Sequence, residues 1–405
     1  MRFFTAILAC FLTLPSLSWG KEDIAYVLQG AEGKSLVRVI TAKKACPSVR
    51  FDGRKAAMRV RASHAADFPA LVCEASVPHG VKKISAGKIR LPAPASEFRR
   101  IVVIGDTGCR QKGNAFQNCN GDWPFERISR AAASFKPDLV IHVGDYLYRE
   151  APCPTCAHDV HGYGFDAWYA DFCSPAKALL DAAPWVVARG NHESCKRAGK
   201  GWFLFLDPGS FSGSCSDYST PYSVPLSNDM QLIVFDSSSP DFAEKHYPPE
   251  FETVDRLAAQ TAHSFFISHH PLLGFSEWHA KLFPGNAILQ NALHQANASH
   301  FLPPGIDAAF HGHVHLFEAL DFENGYPATF VSGNSGTALD EALPEKLPEG
   351  ATPYTGAAVS NYFSYDKFGF MTLEMQKKGW LVTERDEDGK PVWRCLLSGK
   401  QCLRQ

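Results

Sequence analysis

Five short clusters of oxygen- and nitrogen-bearing side chains punctuate the 405-residue chain. They are Gly105-Asp106-Thr107-Gly108, Gly144-Asp145-Tyr146-Leu147-Tyr148, Gly190-Asn191-His192-Glu193, His269-His270-Pro271 and Gly312-His313-Val314-His315. As a set they offer hard oxygens from Asp106, Asp145 and Tyr148, a neutral amide oxygen from Asn191, and imidazoles from His269, His313 and His315. Two neighbouring metal ions need a shared carboxylate, and one of the two aspartates must supply it. Charge then sorts the remaining donors. A tyrosinate, a terminal aspartate and the shared aspartate suit a trivalent ion, whereas Asn and two neutral His suit a divalent one. Such a pair clamps the attacking and leaving oxygens of an in-line phosphoryl displacement and lowers the pKa of bound water. The predicted chemistry is hydrolysis of a phosphate ester by metal-bound hydroxide.

Each cluster sits where an apolar run ends. The runs read IVVI (101–104), DLVIHV (138–143), WVVAR (185–189), FFIS (265–268) and DAAF (307–310). Runs of this length next to Gly are expected to be buried strands. In an open α/β sheet, ligands gather just beyond the carboxyl ends of the strands, so donors some 200 positions apart can converge. Helical stretches are expected over 124–135, 174–182 and 250–261, alternating with the strands. Residues 21–95 hold short alternating or β-branched runs (IAYVLQ, SLVRVIT, AAMRVRA, ALVCEA) and read as a small all-β, sandwich-like module. The Pro-rich stretch from Leu91 reads as its linker, and residues 98–405 as the catalytic unit. Long connections at 149–165, 194–220 and 271–300 are expected to shape the site. FGFMTLEM and WLVTERD form an expected closing hairpin.

Residues 1–20 have the pattern of a signal peptide: Arg2, an apolar stretch from Phe3 to Leu14, and the small residues Ser18 and Gly20. That stretch is too short for a membrane span, and no later segment is long enough, so stable membrane insertion is not expected. The expected location is the periplasm or the exterior. Of 12 cysteines, Cys10 would leave with the leader, and in an oxidising compartment most of the other 11 should pair. Close spacing favours Cys46–Cys73, Cys109–Cys119, Cys153–Cys156 and Cys395–Cys402, leaving Cys173, Cys195 and Cys215 to give one bond and one free thiol. With 40 basic and 42 acidic residues there is no electrostatic footprint for nucleic acid. The expected partner is a small phosphate-ester substrate; nothing in the sequence sets the oligomeric state.

The five ordered motifs, over roughly residues 100–335, resemble the calcineurin-like metallophosphoesterases and, within them, the purple acid phosphatases. The superfamily commonly has Asp-x-His first and Gly-Asp-x-x-Asn or -Asp second. This chain has Asp106-Thr-Gly108 and Gly144-Asp145-x-x-Tyr148, the paired change that marks the purple subgroup. The resemblance implies a four-layer α/β fold, a β-sandwich flanked by helices, often preceded by a small all-β domain. It implies Fe³⁺ on Asp106, Tyr148 and His315, a bridging Asp145, and a divalent Fe, Zn or Mn on Asn191, His269 and His313. His192 would contact the phosphate or protonate the leaving group, with Glu193 holding its ring. His279 lies where plant-type members keep a second acid histidine. The chain departs from the family at Glu318-Ala319, where Glu-Arg is frequent.

Singly, each residue has a plainer reading: Asp106 as a turn cap, Tyr148 as a packing residue, Asn191-His192 as a loop turn. His142, His270, His294 and His311 keep the reading of core or rim histidines, and Asp236 that of a turn or helix cap. His313 and His315 alternate on an extended segment, which would place both on one face. Two alternatives stand beside a phosphomonoesterase. One is a phosphodiesterase acting on a cyclic nucleotide or phospholipid headgroup, and the other a non-catalytic binding protein on the same scaffold. A monoester site needs extra cations, for which Lys196, Arg197 and Lys200 are candidates.

Overall fold

The parallel strands Arg100–Ile104, Leu139–His142 and Trp185–Val187 form the middle of an eleven-stranded sheet. The computed structural model that shows this describes residues 22–113, 115–154, 159–239 and 243–405. The expected leader lies outside the described residues. A second, seven-stranded sheet is centred on Met230–Val234, His263–Ile267, Ile306–His311 and Ala328–Ser332, also parallel. All five apolar runs are therefore strands. They are apolar on both sides because parallel strands are covered on both faces.

Alternation assigns those faces. Ile101, Val103, Ile141 and Val186 of the first sheet pack against Leu232, Phe265, Ile267 and Phe310 of the second, forming the central core. Val102, Ile104, Val140 and Val187 point the other way, onto the helices Phe125–Ser134 and Lys177–Ala182. On the far side, Ile233, Phe235, Phe266 and Ala309 meet the helices Ala243–Ala258 and Ala287–Ala296. The result is helix, sheet, sheet, helix: the four layers expected. The helix expected from 250 begins at Ala243, because Pro248 and Pro249 inside it erase the sequence signal of its first turns.

The all-β region is present over residues 24–91, but it is not closed off as a sheet of its own. Ile24–Gln29 pairs in parallel with Trp185–Val187 through Leu28 and Trp185, and Ser35–Thr41, Leu71–Ser76 and Arg59–Ala62 continue the same sheet. A four-stranded sheet covers one face of this extension through Val49, Phe51, Ile84 and Leu91. The other face is fastened to the helix Gly199–Phe205. Buried Arg38 donates to Phe205 O (2.9 Å) and Asp207 O (3.0 Å), and buried Arg61 donates to Phe203 O (3.0 Å). Both guanidiniums meet Glu74 Oε2, at 2.8 and 3.1 Å. Buried charges persist only when paired and hydrogen-bonded in this way.

The expected hairpin pairs Gly369–Gln376 with Gly379–Asp386 at the edge of the first sheet. Disulfides join Cys46–Cys73, Cys109–Cys119 and Cys395–Cys402, as the spacing predicts. The undecided trio resolves into Cys195–Cys215 and a free, buried Cys173. Cys153 is disulfide-bonded; its expected partner, Cys156, lies outside the described residues. No helix among the described residues is long and apolar enough to cross a membrane.

Candidate metal centre

The loops that carry the donors all leave the carboxyl ends of parallel strands, three from the first sheet and two from the second. Three donors sit there in left-handed backbone: Asp106 (φ 54°), Asp145 (φ 59°) and His313 (φ 71°). Non-glycine residues rarely adopt this conformation, and where it clusters it marks sites whose geometry is over-determined by their surroundings. Cross-ties from one loop to another supply that determination. Asp106 Oδ2 accepts the His313 N–H (3.0 Å) and Asp145 Oδ1 accepts the His192 N–H (2.8 Å).

Tyr148 Oη lies 2.9 Å from Asp106 Oδ1, 2.8 Å from Asp145 Oδ2 and 3.0 Å from His315 Nε2. Asn191 Oδ1 lies 3.1 Å from His269 Nε2 and 3.0 Å from His313 Nδ1. Asp145 belongs to both groups, since its Oδ2 is also 3.2 Å from His269 Nε2. Asp145, His269 and His313 alone could hold a metal ion, their donor atoms all lying within 4.8 Å of one another.

The chemistry of these contacts fits cations. His269 Nδ1 is 3.0 Å from the Val143 carbonyl, so its proton belongs there and Nε2 presents a lone pair. That lone pair faces an amide oxygen and a carboxylate oxygen. At His315, Nδ1 lies 3.0 Å from Ala338 O and Nε2 faces Tyr148, whose single phenol proton cannot serve Asp106, Asp145 and His315 together. Facing lone pairs repel unless a positive charge sits among them. Protons show the same demand. Burial opposes the imidazolium of His269, yet the Asp145 and Asp106 carboxylates raise its pKa to about 9. Burial likewise opposes that of His315, and Asp106 and Asp340 raise it to about 10. Burial, then repulsion from His269, lowers His313 to about 3. Asp145 stays well below the usual carboxylate range despite burial, held there by His269 and His192. Burial and two carboxylates push the Tyr148 phenol well above its usual value, so a tyrosinate here requires a strongly polarising cation.

Outer contacts aim the inner ones, as metal sites generally require. Asp340 accepts the His315 N–H (2.9 Å) and faces its Nδ1 (3.3 Å). Asp171, fully buried, accepts the backbone N–H groups of Cys109 (3.2 Å) and Tyr148 (2.8 Å). A Cβ at Gly108 would sit 2.7 Å from Tyr146 O and from Tyr148 N. The first motif therefore cannot carry a side chain here while the tyrosine loop folds in. A Cβ at Gly190 would collide with the Asp145 side chain at 2.0 Å.

Three sequence expectations change. Glu193 does not hold the His192 ring. Its carboxylate accepts the backbone N–H groups of Asp145, Tyr146, Leu147 and Gly190 at 2.9–3.2 Å, shaping the second motif. The His192 ring is instead held by Leu147 O (3.0 Å) and Glu150 (3.3 Å), and it lies 3.8 Å from both Asp145 Oδ2 and the Tyr148 ring centroid. His313 and His315 do not share a strand face. They lie beyond the strand's end, where tight turns (Val314 N–H to Gly312 O, Leu316 N–H to Val314 O) send one to each donor group. His279 is not drawn into the cluster. It occupies a positive-φ turn (52°) between Phe275–Trp278 and Lys281–Pro284, exposed, with its N–H on Glu341.

Of the histidines given plain readings, His142 is buried against Thr107 (2.9 Å) and His311 against Ser268 (3.0 Å), while His294 is exposed on a helix. Asp236 caps the Ser238 N–H and pairs with Arg189. Asp340, Glu150 and Asp171 escaped the sequence reading. The loop ahead of Asp340, Gly333-Asn-Ser-Gly-Thr337, follows the strand Ala328–Ser332 and is a sixth strand-end cluster. Its Thr337 N–H binds Asp106 O (2.8 Å).

Beside Asn191 and His313 opens a cleft of about 490 Å³, lined also by Lys196, Arg197 and His270. Lys196 is exposed there, and Arg197 donates to Glu150 (2.6 Å). Lys200 lies instead over the Phe68 ring (5.0 Å).

Strand-end carboxylates, a bridging-position aspartate and two donor groups beside a cationic cleft define a two-metal hydrolytic centre. The chain belongs to the calcineurin-like phosphoesterases, whose family model matches residues 99–317, more than half of it. It is a hydrolase acting on phosphoric ester bonds, and the family implies small phosphoester substrates. A purple acid phosphatase from yellow lupin (Lupinus luteus) seeds has the same fold. Its TM-score is 0.61 at 15% identity, over 92% of this chain and 73% of that one. PhoD is also similar, with TM-score 0.56 at 11% identity over 94% and 91%. No curated protein sequence matches significantly.

Proposed function

We propose that the protein is an exported, binuclear-metal phosphomonoesterase of the purple acid phosphatase kind. The observation that carries this reading is the position of Asp145 Oδ2, 2.8 Å from Tyr148 Oη and 3.2 Å from His269 Nε2. Asp106, Tyr148 and His315 would hold Fe³⁺; Asn191, His269 and His313 would hold a divalent Fe, Zn or Mn; Asp145 would bridge. When bound, the pair supplies Lewis acidity and water of lowered pKa. The chain's own residues do the rest. Asn191 and the two imidazoles keep one half neutral, while Asp106 and Tyr148 keep the other anionic. His192, fixed by Leu147 O and Glu150, stands beside the bridging carboxylate to contact the phosphate or protonate the leaving oxygen. Lys196 and Arg197 add positive charge for a dianionic monoester. Four disulfides among the described residues support export.

The test is kcat/KM on a monoester and a diester of one aryl alcohol, with metal-quantified protein. Preference for the monoester is expected. Preference for the diester would replace this reading with a phosphodiesterase.

A further inference from the structure

The adjacent histidines at 269 and 270 face opposite tasks. His269 turns Nδ1 to Val143 O and Nε2 to the metal-binding cluster. His270 instead turns its Nδ1 to Ser237. Its backbone N–H donates to Ser237 Oγ (2.9 Å), and its ring Nδ1 lies 3.3 Å from the same oxygen. Ser237 is fully buried, so its hydroxyl proton needs an acceptor, because an unmade buried hydrogen bond is costly. Among the described residues, His270 Nδ1 is the acceptor offered. That contact makes Nδ1 the lone-pair nitrogen and puts the ring proton on Nε2. The ring is itself buried, packed 4.1 Å centroid to centroid on His313, and it lines the cleft beside Asn191 and His313. No described residue accepts a hydrogen bond from its Nε2.

We propose that His270 contacts the substrate, donating its Nε2–H to an oxygen of the phosphate ester held in this cleft, with Ser237 as the residue that fixes the tautomer. The inference rests on the phosphatase reading above. The cleft is lined by Asn191 and His313 and not by Asp106, Tyr148 or His315. Substrate therefore enters over the neutral half of the centre, where a fixed neutral donor is available beside Arg197 and Lys196.

Three variants test it: His270→Phe keeps the ring packing without the donor, His270→Gln restores an N–H, and Ser237→Ala frees the tautomer. Metal content, kcat/KM on an aryl monoester and calorimetric binding of inorganic phosphate are measured for each. For His270→Phe we expect both kcat/KM and phosphate affinity to fall by about 10- to 100-fold, the worth of one hydrogen bond to a charged group, with metal content unchanged. His270→Gln should recover most of that loss, and Ser237→Ala should fall between. Phosphate affinity equal in wild type and His270→Phe would overturn the proposal. So would a Gln variant no better than Phe, or losses matched by loss of a metal ion. Calorimetry separates this from the parent reading, since metal-loaded wild type that hydrolyses no ester would sink the phosphatase reading alone.

Discussion

The two sheets contribute different chemistry to one spot. Loops of the first supply every oxygen donor, Asp106, Asp145, Tyr148 and Asn191. Loops of the second supply every imidazole, His269, His313 and His315. Yet the donor groups do not divide by sheet. Tyr148 and Asp106 meet His315 at 3.0 and 3.5 Å, and Asn191 meets His269 and His313 at 3.1 and 3.0 Å. Each proposed ion site therefore draws on both sheets, and its donors meet only where the central core has brought the sheets together. Packing and chemistry become one requirement.

The sharpest break removes the residue common to both groups. Asp145→Asn should lower kcat/KM by more than about 10³-fold, because a neutral amide cannot bridge two cations; activity and metal content read together will check it. Asn191→Ala touches a single group. It should release the divalent ion preferentially while iron stays, visible as a fall from two metals per chain towards one. Asp340→Asn keeps every donor and loosens only the aim of His315, so metal affinity should weaken by about 10- to 100-fold, as competition with a chelator would show.

The smallest effect lies outside the centre. Each sheet buries a poorly compensated glutamate: Glu384 in the first, bonded to Asn334, and Glu318 in the second, bonded to the Phe275 N–H (3.0 Å). Burial raises both to about 8 from an ordinary 4.5. A raised folded-state pKa means the folded chain holds the proton more tightly, so this stabilisation is complete below pH 4.5 and is lost as pH rises through 8. Glu318→Gln should flatten that decline in the pH dependence of Tm. An unchanged slope would show that Glu318 does not titrate in this range.

The donor set and its strand-end placement were legible in the sequence because apolar runs betray buried parallel strands, and carboxylates and imidazoles after them are few. Gly108 was legible too, and its physical basis is now apparent: the tyrosine loop and Asp171 fill the volume a side chain would need. What stayed hidden depends on pairing across long sequence distances. The Leu28–Trp185 contact that merges the N-terminal strands into the main sheet has no local signature. Asp340 and Glu150 are ordinary surface-type residues until the fold sets them against His315 and His192. Glu193 carried a signal, but its four backbone partners belong to loops whose shapes only the structure reveals.

One half of the proposed centre is anionic and built around Tyr148. Metal content per chain together with the visible absorption of wild type and Tyr148→Phe tests it most directly. Wild type is expected to hold iron plus one divalent ion and to be coloured, with the colour lost and the divalent ion kept in the variant. A colourless wild type holding two divalent ions and no iron would contradict it.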